Sequence, residues 1–397
     1  MIVLTNQHSD NRGDESATIG AVKSLRKYFG SEVEIIVLLQ SGTKYNFLPA
    51  DCHVKEKAML IGLFSTLELL IWILFKFVGI DLRKICSTRL KEFIQIHEQS
   101  EIVISSCAGP YIGDIYINHE FIHLMHLILP LLLKKKIAFF APSMGPFKNK
   151  FMNYLRKYVL NKSTVIILRD EISYNYLKAF LPDYQNIFLT TDACLADDLG
   201  SYPIIKKPNT IGITPLDYKY PLAKNVRAMK TNYEKTIVEV LDKLMEQNLD
   251  LHIEFFPQLY AKHSDIPFID KIIENMKYSE RAIIFSDKKS GREQQREIAT
   301  VDFMIATRHH SAIFACKVNT PVISIAYEHK IVAFMQSVNL GDFLLDIYEI
   351  NSNQLLEKIE LLKKNYDNIK QSLPTKIDEL KILSNKTAEI IFEYAKR

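Results

Sequence analysis

The chain has 397 residues, of which 48% are hydrophobic and 24% are charged, a composition typical of a globular protein large enough for two domains. Its formal net charge of +4 is too small to indicate nucleic-acid binding, but it suits phosphorylated small molecules or an anionic membrane surface. The five cysteines are an odd number without a CxxC spacing, so we expect reduced thiols in the cytoplasm. The N-terminal segment has no basic region and no long apolar run, and we expect no signal peptide.

Short β-branched or aromatic runs alternate with helical patterns along the chain, as in the βαβ units of a parallel sheet. The predicted strands are 1–5, 33–39, 102–105, 137–141, 165–168, 211–214, 251–256, 282–285, 303–306 and 322–326. The predicted helices are 16–29, 118–136, 148–161, 173–180, 232–247, 268–276, 291–300, 353–372 and 374–396. We expect an α/β protein with two doubly wound, Rossmann-like domains that face a cleft, which is a GT-B-like arrangement. A stretch rich in glycine, proline and polar residues at 198–208 predicts domains 1–200 and 201–397, the second ending in the helices of 353–396.

Residues 58–80 form an apolar segment long enough to span a bilayer, although Glu68 and Lys76 interrupt it. Three interpretations stay open: a pair of buried or half-buried helices, a helix lying in the membrane interface, and a membrane span. A second apolar run at 124–133 precedes three lysines and has the same two non-spanning interpretations. Two such runs with basic flanks favour a substrate at a membrane face.

The polar turn TRHH at 307–310 lies between the predicted strand 303–306 and a helix predicted over 311–317. In open α/β sheets, such strand ends and helix N-termini bind anions and substrates. Arginine matches phosphate or carboxylate oxygens bidentately, and histidine transfers protons near neutral pH. The turn therefore predicts an anion-binding and proton-transferring site. The alternative is that Arg308 pairs with a core acid and the histidines cap the helix.

Arg169 and Asp170 follow the predicted strand 165–168 in the same way. Asp170 is the expected N-cap of the next helix, and Arg169 either points into the crevice or forms a surface ion pair. After the first strand, Gly13 permits a tight turn and Asp14 begins a helix. Asp14 either interacts favourably with the helix dipole alone, or it binds a substrate hydroxyl or acts as a general base.

Small residues follow two more predicted strands, at 105–110 and 141–146, where they permit close approach of a ligand to the backbone. Neither segment matches a phosphate-binding glycine loop. The segment 119–123 reads HEFIH and matches the HExxH pattern of zinc hydrolases. The extended form of that motif fails here, and we expect this helix to border the cleft or fill the core.

Taken in order, these motifs resemble the polysaccharide pyruvyl transferase family over most of residues 1–340. The matching segments are Asn11–Glu15 (NxGDE), Ser143–Pro146 (SxGP), Arg169–Ser173 (RDExS), Asp192–Ala193, Arg308–His310 (RxH), Pro321–Tyr327 (PxIxIxY) and Lys330. One departure lies at 106–109, where family members often have two or three glycines and this chain reads SCAG.

The resemblance implies a GT-B-like fold and a transferase without cofactor or metal that uses phosphoenolpyruvate as co-substrate. Its product is a pyruvate ketal on two hydroxyls of one sugar in a nascent bacterial surface polysaccharide, with release of phosphate. Residues 1–200 are the implied acceptor side and residues 201–397 the donor side. The expected donor-binding residues, with the backbone N–H groups of 311–313, are Arg169, Arg308, His309, His310, Ser311 and Lys330. The expected acceptor-binding residues are Asn11, Asp14, Glu15, Gly109, Asp114, Ser143 and Gly145. His310 is the expected general acid and Asp14 the candidate base.

Three other interpretations remain beside this one: a nucleotide-sugar glycosyltransferase of the same fold, a non-catalytic membrane-peripheral assembly protein, and a zinc hydrolase. The apolar segment 58–80 adds one more expectation. It predicts peripheral contact with the inner face of the cytoplasmic membrane and an acceptor linked to polyprenyl diphosphate.

Overall fold

The computed structural model describes residues 1–8, 10–40, 48–49, 52–107, 111–217, 222–260, 264–286 and 288–397, with Asn118 described by its backbone only. Across these residues the chain forms two β-sheets, and every neighbouring pair of strands is parallel. Helices lie between most successive strands of each sheet, as expected because parallel strands need crossover connections. The prediction of an α/β protein with two Rossmann-like sheets is confirmed.

The first sheet has seven strands among the described residues. They are β1 (Ile2–Gln7), β2 (Ile35–Leu39), β3 (Lys55–Ala58), β4 (Ile102–Ser105), β5 (Lys136–Phe140), β6 (Val165–Leu168) and β7 (Ile187–Leu189). Their spatial order is β3-β2-β1-β4-β5-β6-β7, so the order reverses between β1 and β4. In register, Val3 lies opposite Ile36 on one side and Val103 on the other.

The second sheet has six strands in the same described part of the chain. They are β8 (Thr210–Thr214), β9 (His252–Phe255), β10 (Ala282–Ile284), β11 (Phe303–Ala306), β12 (Val322–Ala326) and β13 (Leu344–Asp346). Their order is β10-β9-β8-β11-β12-β13, with the reversal between β8 and β11. Ile305 of β11 lies opposite Ile213 and Ile323. Loops at the carboxyl ends of strands beside such a reversal are the usual ligand-binding place.

The α-helices occupy the segments between these strands and the C-terminal region. They are α1 (Arg12–Phe29), α2 (Leu63–Phe77), α3 (Thr88–Gln99), α4 (Ile117–Leu132), α5 (Lys150–Lys162), α6 (Glu171–Phe180), α7 (Val226–Gln247), α8 (Ile266–Glu274), α9 (Gly291–Ile298), α10 (His309–Lys317), α11 (His329–Ser337), α12 (Ser352–Lys364) and α13 (Tyr366–Lys396). The predicted helix boundary at Pro374 is wrong, because this proline lies inside α13. The boundary between the last two helices is at Asn365 instead. Buried Ile369, Leu373 and Ile377 hold the helix across the proline, so packing outweighs local propensity.

The sequence patterns missed three strands, β3, β7 and β13, and all three lie at a sheet edge. Edge strands pack on one side only, and these are short and partly exposed. β3 is largely polar, and the apolar runs within β7 and β13 are only three and two residues long, which is too short to indicate a strand.

The chain divides into two compact units. Unit 1 contains Met1–Asp10, Asp14–Asp197 and Leu380–Arg397, and unit 2 contains Asn11–Gly13 and Asp198–Glu379. This division differs from the predicted ranges 1–200 and 201–397 in three segments, 11–13, 198–200 and 380–397. The C-terminal segment lies in unit 1 because Ser384 donates to the Asp192 carbonyl at 2.9 Å and Thr387 hydrogen-bonds Thr190 at 2.7 Å.

The apolar segment 58–80 forms one helix, α2, rather than a buried pair. Leu69, Trp72 and Ile73 are buried, and its opposite face is exposed. The second apolar run belongs to α4, which is buried through Leu124, Leu127 and Leu129. Within the described residues, no helix combines the length and apolarity needed to cross a membrane.

Candidate active site

The polar turn after β11 lies at the strand-order reversal of the second sheet. The Thr307 N–H donates to the Thr214 carbonyl at 3.1 Å, which continues the pairing with β8. The Thr307 hydroxyl hydrogen-bonds Tyr233 at 2.7 Å, and the Ser311 hydroxyl hydrogen-bonds Thr214 at 2.7 Å. All four side chains are buried, so the turn has a fixed conformation.

Arg308 is the N-cap residue of α10, and its extended backbone directs the chain into the helix. Its side chain is only 10% exposed and forms an ion pair with buried Asp265. The other oxygen of Asp265 accepts the Gln258 and Leu259 N–H groups at 2.8 and 2.9 Å. The pairing alternative considered for Arg308 is therefore present.

One donor of Arg308 is left over after this ion pair. Its Nε is buried, and no hydrogen-bond acceptor lies within reach of it among the described residues. A buried charged donor without an acceptor is costly. A carboxylate or phosphate oxygen would satisfy it, since guanidinium binds such groups with two parallel hydrogen bonds.

Helix α10 begins at His309, two residues before the predicted start. The Ala312 N–H already donates to the Arg308 carbonyl. The N–H groups left over at the helix N-terminus are therefore those of His309–Ser311, rather than those of 311–313 as expected. They follow Arg308 directly, and a helix N-terminus favours anions.

The two histidines of the turn have different surroundings. His309 is buried, with its ring centroid 6.0 Å from that of Phe334, whereas His310 is half-buried. The imidazole of His310 lies on Gly13, where an added Cβ would come within 3.0 Å of the His310 Cβ, Cγ and Nδ1. Gly13 is thus needed for the close approach of its backbone to the expected general acid.

Gly13 is held in unit 2 by Arg12, which is completely buried. The Arg12 guanidinium donates to the carbonyls of Pro257 at 2.7 Å, Ser286 at 3.1 Å and Lys289 at 3.1–3.2 Å. No sequence pattern indicated this role. An arginine in a polar loop carries no pattern that distinguishes a buried anchor from a solvated side chain.

Lys330 lies in the first turn of α11, after the next strand of the sheet. Its ammonium is 2.8 Å from the carboxylate of Glu328. The expected contact of Lys330 with the donor substrate stays a prediction.

In unit 1, Arg169 is the centre of a second polar network. Its guanidinium donates to Asp192 at 2.7 Å and to the Ser143 hydroxyl at 2.8 Å. Ser143 in turn donates to Asp170 at 2.7 Å. Asp170 is the N-cap of α6 and accepts the Ser173 N–H, as predicted. No sequence pattern indicated that Asp192 is the partner of Arg169.

This network is acidic despite the arginine. Burial by itself would lower the pKa of Arg169, but the carboxylates of Asp192, Asp170 and Asp14 raise it. The three carboxylates offer acceptors for hydrogen-bond donors such as sugar hydroxyls.

Asn11, Asp14 and Glu15 lie at the start of α1, which begins at Arg12 rather than at residue 16. The Asn11 side chain accepts the Gly13 N–H at 2.8 Å, a helix-capping contact. Asp14 and Glu15 are buried in the first turn. Their acceptor-binding roles stay predictions.

The other expected acceptor residues have structural partners. Asp114 pairs with buried Arg156 at 2.8 Å. Gly145 has φ near +82° and leaves no room for a Cβ beside Tyr176. Gly109 lies outside the described residues. The roles assigned to these residues stay predictions.

The HExxH segment lies on α4, but its glutamate is engaged elsewhere. Both oxygens of Glu120 accept hydrogen bonds from Arg156 at 2.7 Å. In the part of the chain that the structure describes, no three-ligand group of His, Cys, Asp or Glu contains His119 or His123. Burial, with the neighbouring histidines, lowers the pKa of His123 to about 3. The arrangement is that of a packed helix.

Comparisons with known proteins agree with the motifs. The chain is 23% identical to the amylovoran biosynthesis protein AmsJ of Erwinia amylovora, over 98% of this chain and 99% of that protein. Its fold is similar to UDP-N-acetylglucosamine 2-epimerase from Rickettsia bellii, with a TM-score of 0.60, 14% identity and coverage of 100% and 97% of the two chains. The UDP complex of S. aureus MnaA also has a TM-score of 0.60, with 12% identity and coverage of 94% and 91%. Residues 11–329 match the family model of polysaccharide pyruvyl transferase, and the chain therefore belongs to the polysaccharide pyruvyl transferase family.

Proposed function

We propose that this chain transfers pyruvate from phosphoenolpyruvate to two hydroxyls of one sugar in a bacterial surface polysaccharide. The product is a cyclic pyruvate ketal, and phosphate is released. Family membership supports the transferase class. The relative AmsJ, named for amylovoran biosynthesis, supports a role in a biosynthetic pathway of this kind. The specific donor and acceptor are part of the proposal.

The observation that carries the donor assignment is the buried Nε of Arg308, which has no acceptor among the described residues. Phosphoenolpyruvate has a carboxylate and a phosphate, and either would accept this hydrogen bond. The N–H groups at the start of α10 follow in sequence and favour the same charge. The proposal also gives donor contacts to Lys330 and Arg169, each of which already has a carboxylate partner.

His310 is the proposed general acid. A proton from its imidazole adds to the methylene carbon of phosphoenolpyruvate, which makes the adjacent C2 electrophilic. One sugar hydroxyl then forms a bond to C2 and loses its proton to a base, phosphate leaves with its bridging oxygen, and the second hydroxyl closes the ring and returns a proton to His310. His310 is half-buried and rests on Gly13. Asp14 is the proposed base that accepts a hydroxyl proton.

The polar network of unit 1 is proposed to bind the acceptor. Asp14, Asp170 and Asp192 surround Arg169, and carboxylates accept hydrogen bonds from sugar hydroxyls. A nucleotide-sugar glycosyltransferase stays the second candidate. The similar solved structures include a complex with UDP, so nucleotides belong among the ligands to be tested.

The test is thermal stabilisation of the full chain by phosphoenolpyruvate, compared with UDP and UDP-N-acetylglucosamine. A ligand that binds only the folded state raises Tm according to its concentration relative to Kd. Arg308→Lys is the informative variant, because it keeps a positive charge beside Asp265 and loses the Nε donor. Removing the charge altogether would cost about 3–5 kcal/mol and endanger folding.

Arg281→Lys is the matched control. Arg281 also lies in unit 2, but it directly precedes β10 rather than following a strand. Its guanidinium donates to the carbonyls of Met245, Asn248 and Leu249. We expect phosphoenolpyruvate to raise the Tm of the unmodified chain. In Arg308→Lys the Tm shift should be smaller, because binding is about tenfold weaker, which corresponds to about 1.4 kcal/mol of binding free energy. In Arg281→Lys the Tm shift should be unchanged. If UDP-N-acetylglucosamine raises Tm and phosphoenolpyruvate does not, the pyruvyl transfer proposal is rejected in favour of a nucleotide-sugar glycosyltransferase.

A further inference from the structure

The outward face of α2 is an apolar surface on unit 1. Its exposed fractions include 87% for Phe64 and 74% for Leu63. The exposed apolar side chains recur at helical spacing along one stripe, formed by Leu63, Phe64, Leu67, Ile71, Leu74 and Val78. Such a continuous stripe marks an interaction surface rather than scattered exposed residues.

Neither charged residue of α2 faces outward alone. The carboxylate of Glu68 accepts the N–H and hydroxyl of Ser87, and Lys76 pairs with Asp81 at 2.9 Å. Each charge is thus bonded to the segment that follows α2. The exposed stripe itself contains only hydrocarbon and aromatic groups.

Helix α5 extends this surface with aromatic and basic residues. The ring centroid of Phe77, at the end of α2, lies 5.8 Å from that of Tyr158 on α5. Phe151 and Tyr154 of α5 are 77% and 80% exposed. The exposed lysines of the same region are Lys148, Lys150, Lys157 and Lys162, and α5 contains no acidic residue.

We propose that this α2–α5 surface, formed by the exposed stripe of α2 and the exposed aromatic and lysine side chains of α5, binds an anionic phospholipid bilayer. Apolar side chains enter the interface, aromatic rings lie at headgroup level, and lysines contact anionic headgroups. The charge pattern favours lipid over a second copy of the chain. A two-fold dimer would bring the same lysines of both copies together, without acidic residues on α5 to pair with them.

Membrane binding would bring the enzyme to an acceptor carried on a lipid. This consequence rests on the proposed function, whereas the surface does not. Vesicle binding is measured without substrate, so failure of pyruvyl transfer and failure of membrane binding are separate results.

The experiment is co-sedimentation of the full chain with phosphatidylcholine vesicles, with and without phosphatidylglycerol. We expect binding that requires phosphatidylglycerol and weakens with salt.

Two double variants test the two components of the surface. Phe64→Gln with Ile71→Gln removes apolar area, and Lys150→Gln with Lys157→Gln removes charge. These side chains are exposed, so we expect the variants to fold. Each lysine removed should lower vesicle binding about fivefold.

The matched controls are Leu249→Gln, at a leucine that is 80% exposed in unit 2, and Lys364→Gln, at an exposed lysine of α12. Both should bind vesicles like the unmodified chain. The proposal is overturned if the chain does not sediment with anionic vesicles or if the controls lose binding equally. It is also overturned if Phe64→Gln with Ile71→Gln leaves vesicle binding unchanged and instead converts a dimer to a monomer in sedimentation velocity.

Discussion

Replacing Gly13 with alanine would place a methyl group where the side chain of His310 lies. An ideal Cβ at this position would come within 3.0 Å of the Cβ, Cγ and Nδ1 of His310. Because the His310 Cβ is fixed to its own backbone, rotation of the ring cannot relieve the contact, and the start of α10 must move. Gly13 itself does not have a positive φ, so alanine adds no backbone strain of its own.

The size of the effect follows from this contact. Ordinary van der Waals contact at 3.4–4 Å requires His310 to retreat by about 1 Å, and such a misplacement lowers a reaction rate about 100-fold. Overpacking costs about 1–3 kcal/mol, whereas alanine stabilises a helix by about 1 kcal/mol relative to glycine. We therefore expect a net destabilisation of about 0–2 kcal/mol, which leaves the protein folded.

The assay is transfer of radiolabel from phosphoenolpyruvate to glycan prepared from the producing cells, with Tm measured in parallel. His310→Gln is the comparison and should lose about 10²–10⁴-fold in rate if this residue is the general acid. Gly341→Ala is the matched control, because a Cβ there would meet only Gln336, at 3.8 Å. It should retain full activity.

Gly13→Ala should lower transfer more than it lowers stabilisation by phosphoenolpyruvate, because the atoms nearest to the new methyl group belong to His310. The reasoning is refuted if Gly13→Ala transfers pyruvate within about twofold of the unmodified chain, a ratio worth only about 0.4 kcal/mol. It is also refuted if His310→Gln is active, because the position of that imidazole would then be irrelevant.

Two further predictions concern unit 1. Arg169→Lys keeps a positive charge beside Asp192 and should raise the KM for phosphoenolpyruvate about tenfold; a rise in the KM for the acceptor alone would reassign Arg169. Burial lowers the pKa of His97 and of His126 from 6.5 to about 4, so the unfolded chain binds protons that the folded chain does not as pH falls below about 6.5. Stability should therefore be complete above about pH 6.5 and decline towards about pH 4, by about 1.4 kcal/mol per pH unit for each histidine. Between about pH 7 and pH 5, the free energy of unfolding of His97→Asn, measured with denaturant, should fall by about 2 kcal/mol less than that of the unmodified chain. The control is His252→Asn, at an exposed histidine, which should fall as much as the unmodified chain. An equal fall in His97→Asn would contradict this cause.

The interior strands and the polar turn after β11 were readable from the sequence because each is a local pattern. A parallel strand buried on both faces is a continuous apolar run, and four of the predicted strands, including 303–306, have the observed bounds. The ordered set of short motifs was enough to indicate the family, which the family model confirms over residues 11–329.

The tertiary structure decided what depends on residues distant in sequence. The acid that pairs with Arg308 is 43 positions away, at Asp265, and the carbonyls that anchor Arg12 are more than 200 positions away. Three of the four edge strands, β3, β7 and β13, were missed because they are short and partly exposed, so pairing with one neighbouring strand defines them more than an apolar pattern does. The face of α2 that stays exposed was also undetermined, because a helix that is apolar on all sides carries no sequence signal for which side packs.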